Sequence, residues 1–245
     1  MSRGPVILLP PSQGKRSGGR RGGRDEFGVA LGSARAMVRE AVAAAAGDAE
    51  GFARIVGARG PTWERYRRGD LDGPTAPAWW RYDGVVWQHL EPESLGDAQR
   101  GRILIPSALY GITTGRDGLV DYRLTFDAAL VGPGRLDAFW RPILGDVVRE
   151  RCGSRPIVDL LPSEHRRALG ALEGLPGRIP VDFVAADGRR AAGHAAKAVK
   201  GALARAVLLH GLDALPRFHW RGWRASSHES GVLVRAPGAT AGASS

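Results

Sequence analysis

The chain of 245 residues has a single cysteine, Cys152, and only three lysines among its 35 basic residues. One cysteine cannot form an internal disulfide bond, and it excludes a zinc or iron–sulfur site built from several cysteines. The six histidines include no metal-binding pair such as HExxH, and no apolar run approaches the roughly 18 residues of a membrane-spanning helix. We therefore expect no metal, no other cofactor and no membrane attachment. The N-terminus lacks a signal-peptide pattern, so we expect a cytoplasmic location.

The composition indicates a folded, strongly basic protein. Hydrophobic residues make up 43% of the chain, seven tryptophans are present, and the formal net charge is +10. Every basic residue other than Lys15, Lys197 and Lys200 is an arginine. A solvated arginine-rich surface and a surface that binds polyanions explain this charge equally well. In a chain that uses arginine almost everywhere, a lysine that persists suggests a position where a compact ammonium group is needed.

Short apolar runs between helical segments predict a single mixed α/β (α+β) domain over residues 1–236, with a mixed β-sheet and surrounding helices. Val6–Leu9 and Pro156–Leu161 are predicted to be buried strands. Residues 11–25 are rich in glycine and arginine and are predicted to be a mobile loop, and residues 237–245 a disordered tail. Ser33 is predicted to cap a helix that runs to Ala46. Further helices are predicted at 51–58, 61–68, 79–90, 136–151, from 163 and at 194–210, and strands at 178–186, 218–225 and 231–235.

The predicted helix His194–His210 carries one basic face. His194, Lys197, Lys200, Gly201 and Arg205 fall within roughly 140° of one another on a helical wheel, and alanine, valine and leucine residues fill much of the opposite side. Two interpretations stay open. The face is either an ordinary solvated side of an amphipathic helix or an anion site where phosphate oxygens meet paired cations. On both interpretations we expect Lys197 and Lys200 to be exposed to solvent and Gly201 to expose its backbone on this face.

The third lysine follows the first predicted strand in the loop Pro11–Lys15, PSQGK. A strand, a turn with glycine and a lysine are the parts of a phosphate-binding loop. The Walker spacing fails, however, because Leu9 stands where the first glycine belongs and Arg16 where serine or threonine belongs. A loop at the carboxyl end of a strand is still where α/β proteins place ligands.

Several segments together carry a resemblance to a known family. They are LLPPSQGKR at 8–16, SALYGITTGRD at 107–117, DYRL at 121–124, AFWRPIL at 138–144, PIVDLLPSEH at 156–165 and GHAAKAVKG at 193–201. In their order and spacing, they resemble the YaaA family of peroxide-stress proteins. The resemblance implies a cytoplasmic, DNA-binding protein of the oxidative-stress response, with a mixed α/β fold, a helix-hairpin-helix-like element and a positively charged cleft. Leu109–Gly118 is the candidate for that element, and three residues, Gln13, Thr114 and Gly115, depart from the family pattern.

Two functions remain open. The first is DNA binding through the phosphate backbone of double-stranded or structured DNA, without base reading. The second is an enzyme, or a binder, for a small phosphorylated or nucleotide-like ligand in a lysine-lined pocket. We favour the first and expect no catalytic activity, although no residue excludes an enzyme. The candidate phosphate-binding residues are Ser12, Lys15, Arg16, Gly111, Tyr122, Arg123, His194, Lys197, Lys200 and Arg205. The second function would add Asp159 as an acid/base group. An open groove about one duplex wide would favour DNA, and a closed pocket the small ligand.

Overall fold

Eight strands of the described chain form one mixed sheet. The computed structural model describes residues 4–19, 22–66, 71–170, 172, 174–175 and 177–238. The strands are β1 (Val6–Leu8), β2 (Ala76–Pro77), β3 (Ile103–Ser107), β4 (Gly111–Thr114), β5 (Gly118–Leu119), β6 (Ala129–Leu130), β7 (Gly134–Arg135), β8 (Ile157–Asp159), β9 (Arg178–Val184), β10 (His219–Trp220), β11 (Trp223–His228) and β12 (Gly231–Arg235). The helices are α1 (Gly28–Ala45), α2 (Ala49–Val56), α3 (Pro61–Tyr66), α4 (Ala78–Arg81), α5 (Val85–Leu90), α6 (Asp97–Arg100), α7 (Leu136–Cys152), α8 (Ser163–Ala168), α9 (Gly193–His210) and α10 (Ala214–Arg217), with single 3-10 turns at Pro92–Ser94 and Gly211–Asp213.

The sheet has the strand order β10-β11-β12-β9-β8-β1-β3-β4, its centre is parallel, and both of its faces are buried. Strand β1 pairs in parallel with β3 and β8, and β9 pairs in parallel with β8 and β12, whereas β4, β10 and β11 add antiparallel edges. Successive side chains of a strand point to opposite faces. Val6 and Leu8 accordingly join one apolar core, and Ile7 joins a second. The expected mixed α/β class, with one domain built around one sheet, is confirmed.

Helices cover both faces of the sheet, and different segments of the chain supply the helices on each face. The core that contains Val6 includes buried residues of α1, α2 and α7, and the core that contains Ile7 includes residues of α5 and α9. Gly201 lies where α9 meets α5, and a Cβ atom there would stand 2.2 Å from the Val86 carbonyl oxygen. We expected Gly201 to expose backbone on the basic face of this helix. That expectation is wrong, because Gly201 is buried and allows the two helices to approach closely.

Several predicted boundaries shift for local reasons. Helix α1 begins at Gly28, so Ser33 lies inside the helix and is not its cap. The helix predicted at 79–90 is divided into α4 and α5, because Tyr82 and Gly84 between them adopt extended conformations. The strand predicted at 218–225 is a hairpin, β10 and β11, that turns at Gly222 with a φ of +81°.

The candidate helix-hairpin-helix segment, Leu109–Gly118, is not helical. It contains β4, which pairs antiparallel with β3, and it ends where β5 begins. Gly111 starts β4 with a φ of +71°, and a Cβ atom there would meet the Trp140 ring at 2.7 Å. The glycines of this segment therefore allow a tight strand turn and close packing. The expectation of a helix-hairpin-helix-like element at these residues is wrong.

The described part of 11–25 is held against the body by backbone hydrogen bonds. Arg16 N–H donates to the Arg81 carbonyl oxygen, and Gly118 N–H to that of Arg24, each at 2.9 Å. The mobility predicted for this loop stays a prediction, and of the predicted disordered tail, residues 239–245 lie outside the described residues. Within the described ranges, no helix is both long enough and apolar enough to cross a membrane.

Candidate functional site

A cavity of about 1070 Å³ opens at the carboxyl ends of the central strands. Its lining includes Pro10–Lys15 after β1, Ala108 after β3 and Leu161 after β8, and it extends to the first turns of α9. The chain continues from β1 to β3 on one side and later enters β8 on the other, so the strand order reverses at β1. Open α/β sheets bind ligands at such a reversal. We call this space the strand-end cavity.

The structure brings six of the ten predicted site residues into the strand-end cavity. They are Ser12, Lys15, Tyr122, Arg123, Lys197 and Lys200. All three lysines of the chain therefore line one space, although residues 15 and 197 are far apart in sequence. The cavity is large enough for a nucleotide-sized ligand.

The other four predicted residues do not line this cavity. Arg16 forms an ion pair with Glu93 at 3.1 Å, and Arg205 turns toward the loop after α5, where its guanidinium lies 3.6 Å from the Glu91 carboxylate. Gly111 is buried in the sheet, and His194 is exposed at the start of α9.

Lys15 is the most enclosed cation of the cavity. The residue is only 7% exposed, and its Nζ donates to the Ser12 carbonyl oxygen at 2.9 Å. The amine lies over the Tyr122 ring, 4.2 Å from its centroid, and 5.4 Å from that of Tyr82. Burial is the main cause that lowers the pKa of Lys15 to about 7. The charge of Asp121 raises this pKa, and the charges of the nearby arginines, Arg123 first, lower it.

A chain of three hydroxyl groups lies beside Lys15. The Tyr122 hydroxyl is 3.0 Å from that of Tyr82 and 2.7 Å from Ser107 Oγ, and all three residues are buried. Ser107 Oγ also accepts a hydrogen bond from the Tyr110 N–H at 3.1 Å. Burial raises the pKa of Tyr122 to about 12, so this phenol keeps its proton at neutral pH.

Arginines fix the backbone around Lys15. Arg65 donates to the Lys15 carbonyl oxygen at 2.6 Å and to the Asp121 carboxylate at 2.7 Å. Arg123 donates to the Val56 carbonyl oxygen at 2.8 Å. A Cβ atom at Gly84 would lie 2.2 Å from Ser12 Oγ, so a side chain there would displace Ser12. The loop after β1 is therefore positioned by α3, by the segment between α4 and α5, and by residues 121–123.

The mouth of the cavity carries further cations. Arg167, Arg190 and Lys197 are exposed lining residues, and Lys200 is half-buried with its Nζ 5.3 Å from the Phe183 ring centroid. Burial first, then Arg166 and Arg190, lower the pKa of Lys200 to about 8. We expected both lysines of α9 to be solvated, and only Lys197 is. Among described residues, no carboxylate oxygen lies within ion-pair distance (4.0 Å) of Lys15, Arg123, Arg167, Arg190, Lys197 or Lys200.

Asp159, the acid/base candidate of the second function, and Cys152 both serve the fold. Asp159 is fully buried at the end of β8, where Arg166 and Arg178 donate to its carboxylate at 2.9 and 2.7 Å. Cys152 packs in the apolar core, and burial raises the pKa of its thiol to about 11. In the part of the chain that the structure describes, no three histidine, cysteine or acidic residues are grouped so that they could hold a metal ion.

Tyr82, Ser107 and Arg65 are residues of this site that sequence reasoning missed as functional candidates. Ser107 stood inside a recognised family segment, SALYG, but had no pattern of its own that pointed to the cavity. Tyr82 and Arg65 lie in segments without any motif. Their role depends on the tertiary fold, which brings α3 and the end of α4 beside β1.

The fold and the cavity define a class: an α/β protein with a lysine- and arginine-containing ligand cavity at the strand order reversal of its sheet. Within that class the chain belongs to the family described as peroxide stress protein YaaA, whose pattern matches residues 6–229. A UPF0246 protein of Streptomyces coelicolor is 29% identical over 84% of each chain. A UPF0246 protein of Corynebacterium efficiens is 32% identical over 55% of each chain. This membership supports a role in the response to oxidative stress and confirms the family predicted from the sequence.

Proposed function

We propose that this protein acts in the peroxide-stress response by binding the phosphate backbone of DNA at the mouth of the strand-end cavity. The observation that carries this proposal is the group of exposed cations Arg167, Arg190 and Lys197, none of which has a described carboxylate oxygen within 4.0 Å. The Glu164 carboxylate, which lines the same cavity, interacts with Arg167 and Arg190 from a greater distance. Unpaired cations on one surface are the groups that neutralise phosphates and release counterions. In this proposal the mouth is the basic cleft that the family resemblance implies.

Backbone contacts determine what such binding recognises. Helix α9, whose first turns border the mouth, begins with glycine, histidine and alanine, and its first turn carries no asparagine, glutamine or arginine of the kind that reads bases in the major groove. Binding would therefore follow the shape and charge of the nucleic acid. It would also depend strongly on salt, with a slope of roughly 0.9 for each phosphate neutralised.

A small phosphorylated ligand is the second candidate, and the position of Lys15 favours it. This lysine is almost fully buried, so a phosphate of duplex DNA held at the mouth does not reach its amine. A small molecule could enter the cavity of about 1070 Å³ and contact Lys15 and Lys200 together. The two candidates share the outer cations and differ in whether Lys15 contacts the ligand.

A titration across salt concentrations tests the DNA proposal. Duplex, junction and single-stranded DNA are titrated between 50 and 200 mM salt (roughly the range over which backbone binding weakens most visibly), with a mononucleotide as competitor. Lys197→Glu should weaken DNA binding and lower the salt slope by about 1. Arg224→Glu is the matched control, because Arg224 is exposed on β11 and does not line the cavity.

The outcomes separate the candidates. Salt-dependent DNA binding that falls in Lys197→Glu but not in Arg224→Glu supports the first candidate. Equal losses in both variants, or an affinity independent of salt, would overturn it. Displacement of DNA by a low concentration of mononucleotide favours the second candidate. A variant with both Lys197→Arg and Lys200→Arg keeps the charge, so a backbone surface should tolerate it and a fitted small-molecule site should not.

A further inference from the structure

Lys15 is placed as a reactive amine rather than as a fixed cation. Lys15 lines the strand-end cavity, and its Nζ donates to one carbonyl oxygen, that of Ser12. No described carboxylate oxygen comes within 4.0 Å of it. Asp121, the acid whose charge acts on it, is already paired with Arg65. A buried ammonium group without a close counterion is costly, which favours the neutral amine and leaves its lone pair free.

We propose that Lys15 is a carbonyl-binding nucleophile, whose amine forms an imine with a small phosphorylated aldehyde or ketone in the strand-end cavity. The phosphate part of this proposal rests on the proposed function, since Lys200 and Lys197 would hold that group. The imine part rests on Lys15 alone. Lysines that form imines with carbonyl substrates are activated by desolvation and by neighbouring cations, and Lys15 has both.

The step is balanced without an oxidant or reductant. The Nζ lone pair attacks the carbonyl carbon, the C=O π bond breaks, and the oxygen takes up a proton. Loss of water from the carbinolamine then leaves a C=N bond, and the two amine protons depart in that water. The protons exchange with water through the mouth of the cavity, and the amine lies over the face of the Tyr122 ring, 4.2 Å from its centroid.

The charges around the amine come from several elements. Arg65 of α3, Arg81 of α4 and Arg123 after β5 repel an ammonium group, and Asp121 attracts it. The Tyr82 and Tyr122 rings attract it as well, through their faces. Desolvation and the arginines together outweigh Asp121. The titration of Lys15 in the folded protein therefore measures directly which form the site holds.

The chain is well suited to the experiment, because it offers only three lysine amines besides its N-terminus. Glyceraldehyde 3-phosphate and glyceraldehyde are each incubated with the full chain and cyanoborohydride, and peptide mapping by mass spectrometry gives the labelling rate at Lys15, Lys197 and Lys200. We expect Lys15 to react at least tenfold faster than Lys197 at pH 7.5, and faster with the phosphorylated aldehyde. Lys15→Arg should abolish that fast label. Arg224→Gln, on exposed β11 and outside the cavity, is the control variant and should keep the label at Lys15.

Each result decides a part of the proposal. Labelling of Lys15 no faster than that of Lys197 overturns the nucleophile. Equal Lys15 rates with both aldehydes overturn the phosphorylated substrate class and leave the nucleophile supported.

Competitive acetylation of the wild-type chain across pH needs no variant, so the test stands if Lys15→Arg fails to fold. Half-maximal reactivity of Lys15 near pH 7 supports the proposal, and half-maximal reactivity near the ordinary lysine value of 10.5 overturns it. DNA binding is measured separately, so failure of the nucleophile does not resemble failure of the DNA proposal.

Discussion

Gly201 offers a sharp test of how α9 is placed against α5, the helix pair that forms part of the cavity wall. A Cβ atom at Gly201 would lie 2.2 Å from the Val86 carbonyl oxygen and 3.0 Å from Leu90 N. Because these atoms belong to the backbone, they cannot move aside alone. Helix propensity by itself favours alanine over glycine by about 1 kcal/mol. Overpacking costs about 1–3 kcal/mol or more, so we expect Gly201→Ala to lower the free energy of unfolding by about 1–2 kcal/mol.

Gly32 in α1 is the matched control. It is also a helical glycine, and a Cβ atom there meets nothing within 4 Å. Gly32→Ala should therefore raise the free energy of unfolding by about 0.5–1 kcal/mol. Urea unfolding followed by tryptophan fluorescence and circular dichroism compares the two variants with wild type. If Gly201→Ala is as stable as wild type while Gly32→Ala gains stability, α5 and α9 do not approach each other as closely at Gly201 as described above.

The central strands could be predicted from the sequence because the sheet buries both of their faces. Such strands appear as short continuous apolar runs, and Val6–Leu8 and Ile157–Asp159 lie inside the predicted segments. Gly231–Arg235 was predicted with its observed bounds. Strand β4, Gly111–Thr114, could not be found this way, because its sequence GITT has the composition of a turn. It becomes a strand only through pairing with β3.

The candidate site was predictable where motifs are local and not where the fold assembles distant residues. The scarcity of lysine singled out Lys15, Lys197 and Lys200, and all three line the cavity. The burial of Lys15 gave no signal, because it arises from Tyr82 and Tyr122, which approach from other segments. A helical wheel likewise predicted a solvated Lys200, but it contains no information about Phe183 on a neighbouring strand.

Three further variants test the remaining inferences. Lys197→Ala should leave the free energy of unfolding within about 0.5 kcal/mol of wild type in urea titrations, because Lys197 is exposed. Cys152→Ala should leave survival under peroxide unchanged in a complemented strain, because burial raises the thiol pKa to about 11 and suppresses the reactive thiolate. Lys15→Met tests the pH linkage. The folded-state pKa of about 7 lies below the unfolded value near 10.5, so the unfolded state binds more protons between them. Between about pH 7 and 10, Lys15 should therefore make the free energy of unfolding of the wild type rise by about 1.4 kcal/mol for each pH unit. Below pH 7 Lys15 is protonated in both states, so this increase is absent. Because Lys200 and the tyrosines titrate in both proteins, the difference between the wild-type and Lys15→Met unfolding curves isolates Lys15. A difference that does not change between pH 6.5 and 9.5 would show that Lys15 stays charged in the fold.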